Sequence, residues 1–164
     1  MRVLIAGGGT GGHLYPGIAL ARAFQGMGIT DILFVGTARG IESEVLQKEG
    51  FPLVKIHVSG MMNKGLFKTL TSILLLPIGL IDSIKILLKF RPDIVVGIGG
   101  YTSGPIVAMA MLLRIKRVIL EPNLIPGITN RLLAPVANRI AVAFEETKRY
   151  FRGSQVVLTG NPVR

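Results

Sequence analysis

The sequence predicts a doubly wound α/β domain whose sheet is mostly parallel. Two observations carry this prediction: short apolar runs without polar alternation recur along the chain, and longer segments of helical periodicity separate them. Strands that are apolar on both faces are typical of a parallel sheet covered by helices on both sides. A length of 164 residues suffices for one such domain with a substantial core.

The predicted elements alternate along the chain. Strands are expected at 3–6, 31–35, 53–58, 93–98, 117–120, 139–143 and 155–158, and the first two helices at about 16–27 and 41–49. Pro16 fits a first helical turn, where its missing N–H does no harm, and Gly50 suits a helix end. Between residues 66 and 90 the apolar spacing indicates two amphipathic helices separated by Pro77.

Three loops follow the carboxyl ends of predicted strands, at 7–13, 99–105 and 121–127. If the strand order is 3-2-1-4-5, the first two loops flank the point where the order reverses. Open α/β sheets bind their ligands at that point. The sequence therefore predicts that the functional site lies at this edge of the sheet.

The first of these loops is rich in glycine. Gly7, Gly9 and Gly12 match the G-x-G-x-x-G pattern of dinucleotide-binding loops. A ribose-binding acid should then close the second strand, but Gly36-Thr37-Ala38 stands there and the nearest acid is Glu42. The Gly-Lys-Ser/Thr of a P-loop is also missing. Two interpretations remain: backbone amides that bind a phosphate or oxyanion, or a tight turn alone.

The two histidines are interpreted differently. His13 stands at the start of a helix, where the helix dipole disfavours the imidazolium and so suits a neutral general base. A capping or packing role for His13 is equally open. His57 lies in the alternating stretch Lys55-Ile56-His57-Val58 and is interpreted as structural.

Polar side chains in the other two loops are candidates to hydrogen-bond a polar ligand: Tyr101, Ser103, Glu121 and Asn123. For Glu121 an ion pair with Arg131 is an equally open alternative. Ser103 lacks the G-x-S-x-G context of a serine hydrolase. The sequence has no cysteine, no Asp-x-Asp and no His-x-x-x-His, so we expect no dedicated metal site.

The positive charge is concentrated in one part of the chain. The net charge is +10, and residues 50–120 carry nine basic and two acidic residues, or +7. Such an excess suits nucleic acid, a membrane surface or a phosphorylated substrate. The basic–apolar segment, residues 64–89, combines apolar and basic side chains: Lys64, Lys68, Leu75, Leu76, Ile78, Lys85 and Lys89. This combination favours peripheral contact with an anionic bilayer over core packing alone.

A membrane-spanning helix is not expected in this segment. The longest apolar stretch, between Lys68 and Asp82, has thirteen residues, whereas a spanning helix needs about 20.

Four motifs occur in a fixed order: Gly8-Gly9-Thr10-Gly11-Gly12-His13 with Pro16, Gly99-Gly100-Tyr101-x-Ser103-Gly104-Pro105, Glu121-x-Asn123-x-x-Pro126-Gly127-x-x-Asn130-Arg131, and Gly160-Asn161-Pro162-Val163-Arg164. Together they cover the whole chain, which resembles the MurG family of N-acetylglucosaminyltransferases of peptidoglycan synthesis. One departure is Pro122, where the family commonly has Gln.

The resemblance implies the Rossmann-like, amino-terminal half of a GT-B glycosyltransferase. Its reaction would be an inverting transfer of N-acetylglucosamine from the co-substrate UDP-GlcNAc to the muramoyl C4 hydroxyl of lipid I, which makes lipid II. Residues 1–164 would form the acceptor-binding domain, inactive without a carboxy-terminal donor-binding domain that this chain lacks. The resemblance also implies a peripheral location on the cytoplasmic face of the bacterial inner membrane, no tightly bound cofactor and no nucleic-acid partner.

By matching position, the resemblance implies roles for individual residues. His13 would be the general base. The groups that hold the acceptor and its diphosphate would be Gly9, Thr10, Gly11, Gly12, Tyr101, Ser103 and Asn123. Those that face the donor would be Thr10, Gly11, Gly12, Asn123 and Arg164, and the basic–apolar segment would dock on the membrane. The alternative function is a non-catalytic module that binds an anionic membrane or a nucleotide.

Overall fold

A computed structural model describes residues 1–37, 41–58, 66–153 and 155–162, with the side chains of 66–75 excepted. Within these residues strands and α-helices alternate as far as β6, and β7 follows β6 without an α-helix between them: β1 Arg2–Gly7, α1 Gly11–Gly26, β2 Asp31–Gly36, α2 Glu42–Glu49, β3 Leu53–Lys55, α3 Leu66–Phe90, β4 Ile94–Gly99, α4 Gly100–Leu112, β5 Lys116–Glu121, α5 Ile128–Leu133, β6 Arg139–Val142 and β7 Val156–Leu158.

All strand pairs are parallel, and the sheet has the order β3-β2-β1-β4-β5-β6-β7. Ile5 of β1 lies between Phe34 of β2 and Val96 of β4. The order reverses between β1 and β4, so the carboxyl ends of these two strands flank the switch point. The predicted doubly wound fold and strand order are thereby confirmed.

Two hydrophobic clusters cover the two faces of the sheet. Val3 and Ile5 of β1 face the cluster that includes α1 and α2. Leu4 and Ala6 face the cluster of α3, α4 and α5. Because successive side chains of a strand point to opposite faces, burial on both faces explains why β1 is a continuous apolar run.

Helix α1 begins earlier than the sequence pattern indicates. It starts at Gly11, five residues before Pro16, so the prediction that Pro16 occupies the first turn is wrong. The main-chain N–H groups of His13 and Leu14 already donate to the carbonyl of Thr10. Pro16 lies inside the helix, where it removes one backbone donor. The earlier start places His13 in the first turn.

Residues 66–90 form one helix, so the predicted division into two helices at Pro77 is wrong. Pro77 is exposed and lies inside α3, where the rest of the hydrogen-bond ladder continues past the one missing donor. Among the described residues, no helix combines the length and the apolar character needed to cross a bilayer.

Strand β3 ends at Lys55, three residues before the predicted end at Val58. The main-chain N–H of His57 donates to Oδ2 of Asp82 on α3 at 3.1 Å instead of to a neighbouring strand. The His57 ring adds a second contact, with Nδ1 2.8 Å from the same oxygen. His57 thus ties the chain after β3 to α3, in line with its structural interpretation.

Candidate functional site

The loop after β1 lies directly against the start of α4. Helix α4 begins at Gly100, immediately after β4, so the predicted loop at 99–105 is wrong: Gly99, with a φ of +118°, alone makes the turn from strand to helix. Gly9 has a φ of +88°, and a Cβ there would lie 2.8 Å from the hydroxyl oxygen of Tyr101. Gly100 has a φ of +72°, and a Cβ there would collide with the carbonyl oxygen of Gly8. Positive φ favours glycine, and here the missing side chains also let the loop after β1 approach the start of α4. A tight turn alone therefore does not account for these glycines.

The N-terminus of α1 is open at this contact. Thr10 is its N-cap residue, with extended φ and ψ of −148° and 155°, but it makes no side-chain capping hydrogen bond. Its Oγ1 lies 3.0 Å from Nδ1 of His13 instead. No acidic residue occupies the first turn. Because the first amides of a helix have no intrahelical acceptor, Gly11 and Gly12 are placed to bind an anion.

The ring of His13 lies against the turn from β4 into α4. Its Nε2 lies 2.9 Å from the place that a Cβ of residue 99 would take, which glycine at a φ of +118° leaves empty. Burial lowers the pKa of His13 below its usual value of 6.5, and the negative charge of Glu121 opposes that shift. The ring is therefore neutral at neutral pH. If its Nδ1 donates to Thr10, Nε2 is free to accept a proton.

The side chain of Glu121 holds the loop after β5 together by hydrogen bonds. Its buried carboxylate accepts the main-chain N–H of Asn123 at 2.9 Å and that of Gly127 at 3.0 Å. The side-chain amides of Asn123 and Asn130 donate to it at 3.0 and 2.9 Å. The alternative of an ion pair with Arg131 is wrong, because the four N–H donors hold both carboxylate oxygens. Glu121 therefore shapes the loop and contributes negative charge near His13.

Sequence reasoning missed two site residues, Asn130 and Glu42. The buried amide of Asn130 lies 3.2 Å from the carbonyl oxygen of Ile98 and 3.3 Å from that of Leu120, and so joins the ends of β4 and β5. Oε1 of Glu42 accepts the N–H of Gly9 at 2.6 Å. Asn130 belongs to the third motif, and Glu42 is the nearest acid after the second strand. The spacing of residues along the sequence does not reveal hydrogen bonds between distant positions, so neither role was predicted.

Two predicted ligand contacts are occupied within the protein itself. The hydroxyl of Ser103 is buried, accepts the N–H of Gly99 at 3.0 Å and lies 2.6 Å from the carbonyl oxygen of Ala6. The N–H of Gly9 is taken by Glu42. In this geometry Ser103 fixes the end of β4, and Gly9 offers no free amide to a diphosphate.

The remaining predicted residues divide into two groups. Thr10, Gly11, Gly12, His13, Tyr101 and Asn123 gather at the carboxyl edge of the sheet, where Asn123 is exposed and Tyr101 half-buried. Of the residues predicted for the basic–apolar segment, Leu76, Ile78, Lys85 and Lys89 are exposed. Lys64 and Arg164 lie outside the described residues, and so do the side chains of Lys68 and Leu75. Within the described ranges no three carboxylate or imidazole side chains are grouped as metal ligands.

Comparison with known proteins agrees with the motif pattern. The family model for the glycosyltransferase family 28 N-terminal domain matches residues 3–142. UDP-N-acetylglucosamine–N-acetylmuramyl-(pentapeptide) pyrophosphoryl-undecaprenol N-acetylglucosamine transferases of Anaeromyxobacter sp. (strain Fw109-5) and Myxococcus xanthus (strain DK1622) are 50% and 48% identical to it over the whole chain. This chain spans 43% of the length of each.

Solved structures give the same relationship. Acinetobacter baumannii MurG superposes with a TM-score of 0.85 at 29% identity, over 99% of this chain and 46% of that one. A UDP-GlcNAc 2-epimerase from Neisseria meningitidis, bound to UDP-GlcNAc, has a TM-score of 0.75 at 18% identity over 99% and 47% of the two chains. The second likeness shows the fold alone. The chain belongs to glycosyltransferase family 28, and its resemblance to the MurG family is confirmed.

Proposed function

We propose that this chain is the acceptor-binding domain of an inverting N-acetylglucosaminyltransferase that converts lipid I into lipid II with UDP-GlcNAc as co-substrate. The observation that carries the proposal is the open N-terminus of α1 beside a neutral His13 at the switch point. This chain spans 43% of the length of its relatives. We therefore assign most contacts with the donor to a carboxy-terminal domain, and we propose that Arg164 also faces the donor.

The open helix end is our proposed diphosphate site. The amides of Gly11 and Gly12, with the Thr10 hydroxyl, offer hydrogen-bond donors at the positive end of a 16-residue helix. Tyr101, which lies next to Gly9, and the exposed Asn123 at the same edge of the sheet would hold the sugars. Ser103 and Glu121 would act indirectly, by keeping the start of α4 and the loop after β5 in place.

His13 is the proposed general base. The C4 oxygen of the acceptor attacks the anomeric carbon of N-acetylglucosamine, and the bond from that carbon to UDP breaks with its electron pair leaving on UDP. The hydroxyl proton passes to Nε2 of His13, which requires that Nδ1–H donate to Thr10. A side chain that is neutral at neutral pH is ready for this step. We propose no tightly bound cofactor.

The outer face of α3 is the proposed membrane contact. Leu76, Ile78, Ile81 and Leu88 are 40%, 46%, 52% and 56% exposed. From Ile78 on they recur at helical spacing with Lys85 between them, so they share one face. Exposed apolar side chains beside lysines suit the anionic cytoplasmic leaflet of the inner membrane. There the face would hold the enzyme next to the lipid anchor of its acceptor.

A transfer assay tests the catalytic proposal. The chain extended to the full length of its relatives should transfer N-acetylglucosamine from UDP-GlcNAc to lipid I, whereas residues 1–164 alone should not. The Myxococcus xanthus relative serves as the positive control. Transfer by that relative without transfer by the extended chain would overturn the proposal, and turnover by residues 1–164 alone would overturn the need for a second domain.

The second candidate function is a non-catalytic module that binds anionic membranes, which the exposed face of α3 favours. The two candidates differ in one outcome of the same assay. An extended chain that binds anionic vesicles but neither binds UDP-GlcNAc nor transfers its sugar supports the second candidate.

A further inference from the structure

Glu42 is a buried carboxylate for which the proposed reaction has no direct use. It is the first residue of α2 and is fully buried. Its Oε1 accepts the N–H of Gly9 at 2.6 Å, and its Oε2 has no hydrogen-bond partner in the described part of the chain. Burial of a carboxylate is costly unless hydrogen bonds compensate, although the positive end of α2 offsets part of that cost. Such a residue calls for a role.

Two glycines make room for this side chain. A Cβ at Gly8 would collide with Oε1 of Glu42, and one at Gly36 would lie 3.3 Å from its Cγ. Gly8 follows β1 and Gly36 ends β2. The carboxylate therefore reaches the glycine loop because positions 8 and 36 carry no side chain.

The bond to Glu42 sets the direction of one peptide group. In a trans peptide the N–H and the carbonyl point in opposite directions. The N–H of Gly9 points to Glu42, so the carbonyl of Gly8 points the other way, against Gly100. If this peptide turned over, its carbonyl oxygen would face the carboxylate and the two would repel each other.

This peptide immediately precedes the proposed binding residues. Gly9 keeps its φ of +88° only while the peptide holds its direction, and Thr10 and the first amides of α1 follow. We propose that Glu42 is a positioning residue, which locks the Gly8–Gly9 peptide so that Thr10 and the α1 amides meet the diphosphate of the acceptor. This inference rests on the proposed function and adds to it a residue that touches no substrate.

Three variants separate the parts of this inference. Glu42→Ala removes the acceptor for the Gly9 N–H, whereas Glu42→Gln keeps an acceptor oxygen of the same reach. Glu44→Ala is the matched control, because Glu44 lies in the same helical turn but is exposed and paired with Lys48. Far-UV circular dichroism and thermal unfolding of each variant show whether it folds.

The first measurement is amide hydrogen exchange at Gly9, followed by NMR in residues 1–164. Exchange should be about 10-fold faster or more in Glu42→Ala, in keeping with the loss of one buried hydrogen bond. It should stay within about threefold of the original rate in Glu42→Gln and Glu44→Ala. Unchanged exchange in a folded Glu42→Ala chain would overturn the lock, whatever the chain catalyses.

The second measurement is steady-state kinetics of the extended chain. Glu42→Ala should raise KM for lipid I about 10-fold or more, with a smaller effect on kcat, and Glu42→Gln should restore most of the loss. An unchanged KM in Glu42→Ala, with an active unmutated protein, overturns the positioning role and leaves the proposed function standing. An inactive unmutated protein overturns the proposed function. The hydrogen-exchange experiment still shows in that case whether Glu42 fixes the Gly8–Gly9 peptide.

Discussion

At the scale of single residues, the pairing of Thr10 with His13 decides what the α1 terminus can do. A threonine at the N-cap usually accepts an amide of its own helix. Here its hydroxyl contacts the imidazole of His13 instead, so the same bond orients the ring and leaves the helix amides available. The contact between Thr10 and His13 thus serves both the proposed base and the proposed anion site.

The exchange of His13 for Ala tests the base directly. In the extended protein, His13→Ala should lower kcat by about 10²–10⁴-fold, because the hydroxyl proton then has no positioned acceptor. His57→Ala is the control, since His57 is the other histidine and contacts Asp82 on α3. Single-turnover rates measure both variants. Equal rates for His13→Ala and His57→Ala would remove His13 as the base.

The pH dependence follows from the same ring. Burial lowers the pKa of His13, so the neutral base persists below the pH at which an ordinary histidine gains its proton, about 6.5. The acid limb of the kcat/KM profile should therefore lie below about pH 6.5. An NMR titration of the ring in residues 1–164 measures the same group. A ring that titrates at or above pH 6.5 contradicts this prediction.

The lowered pKa of His13 also determines how the stability of the fold changes with pH. A folded-state pKa below the unfolded value means that the unfolded chain binds more protons in that pH range. The contribution of neutral His13 to stability is therefore present above about pH 6.5 and is lost as the pH falls through the folded-state pKa.

At the scale of elements, the contact between the loop after β1 and the start of α4 depends on glycine at position 100. Gly100→Ala should destabilise the domain by about 2 kcal/mol or more, because Ala has to adopt a positive φ and its Cβ meets the backbone oxygen of Gly8. Gly26→Ala is the matched control. Gly26 is exposed at the end of α1 with no atom within 4 Å of a new Cβ, so it should gain about 0.5 kcal/mol.

Urea unfolding followed by circular dichroism measures both variants. Equal midpoints for Gly100→Ala and Gly26→Ala would show that the loop contact contributes nothing to stability.

The elements also show what could be predicted from the sequence. Uninterrupted apolar runs such as Val3–Ala6 identified the strands and the parallel sheet, because burial on both faces leaves that pattern. The switch point then followed from this pattern and from handedness, on the condition that the strand order was 3-2-1-4-5. The start of α1 and the continuity of α3 could not be predicted, because Gly11 and Pro77 disfavour helix locally and the surrounding fold outweighs that preference. The role of Glu42 could not be predicted either, because its hydrogen bond to Gly9 joins residues 33 positions apart in the sequence.

At the scale of the whole molecule, the proposed chemistry and the proposed membrane contact lie on different parts of the fold. The loops occupy the carboxyl edge of the sheet, and α3 lies in the layer over one face. Helices α1 and α2 cover the other face. If α3 rests on a bilayer, the carboxyl edge stays open to a lipid-anchored acceptor. The +7 charge of residues 50–120 would contribute to that attraction without being part of the proposed reaction.

Vesicle flotation of residues 1–164 tests this orientation. The chain should float with phosphatidylglycerol vesicles and not with phosphatidylcholine alone.

A double Ile78→Ser, Ile81→Ser variant should bind about 10-fold more weakly, because two half-exposed apolar side chains no longer enter the interface. A double Lys85→Gln, Lys89→Gln variant should weaken binding about 30-fold, since each basic group near the surface contributes about 1 kcal/mol. Met27→Ser controls for loss of any exposed apolar side chain, because Met27 is 75% exposed at the end of α1 on the opposite face. If Met27→Ser weakens binding as much as the α3 variants, the contact is not specific to α3, and if the unmutated chain ignores anionic vesicles, α3 does not dock on membranes.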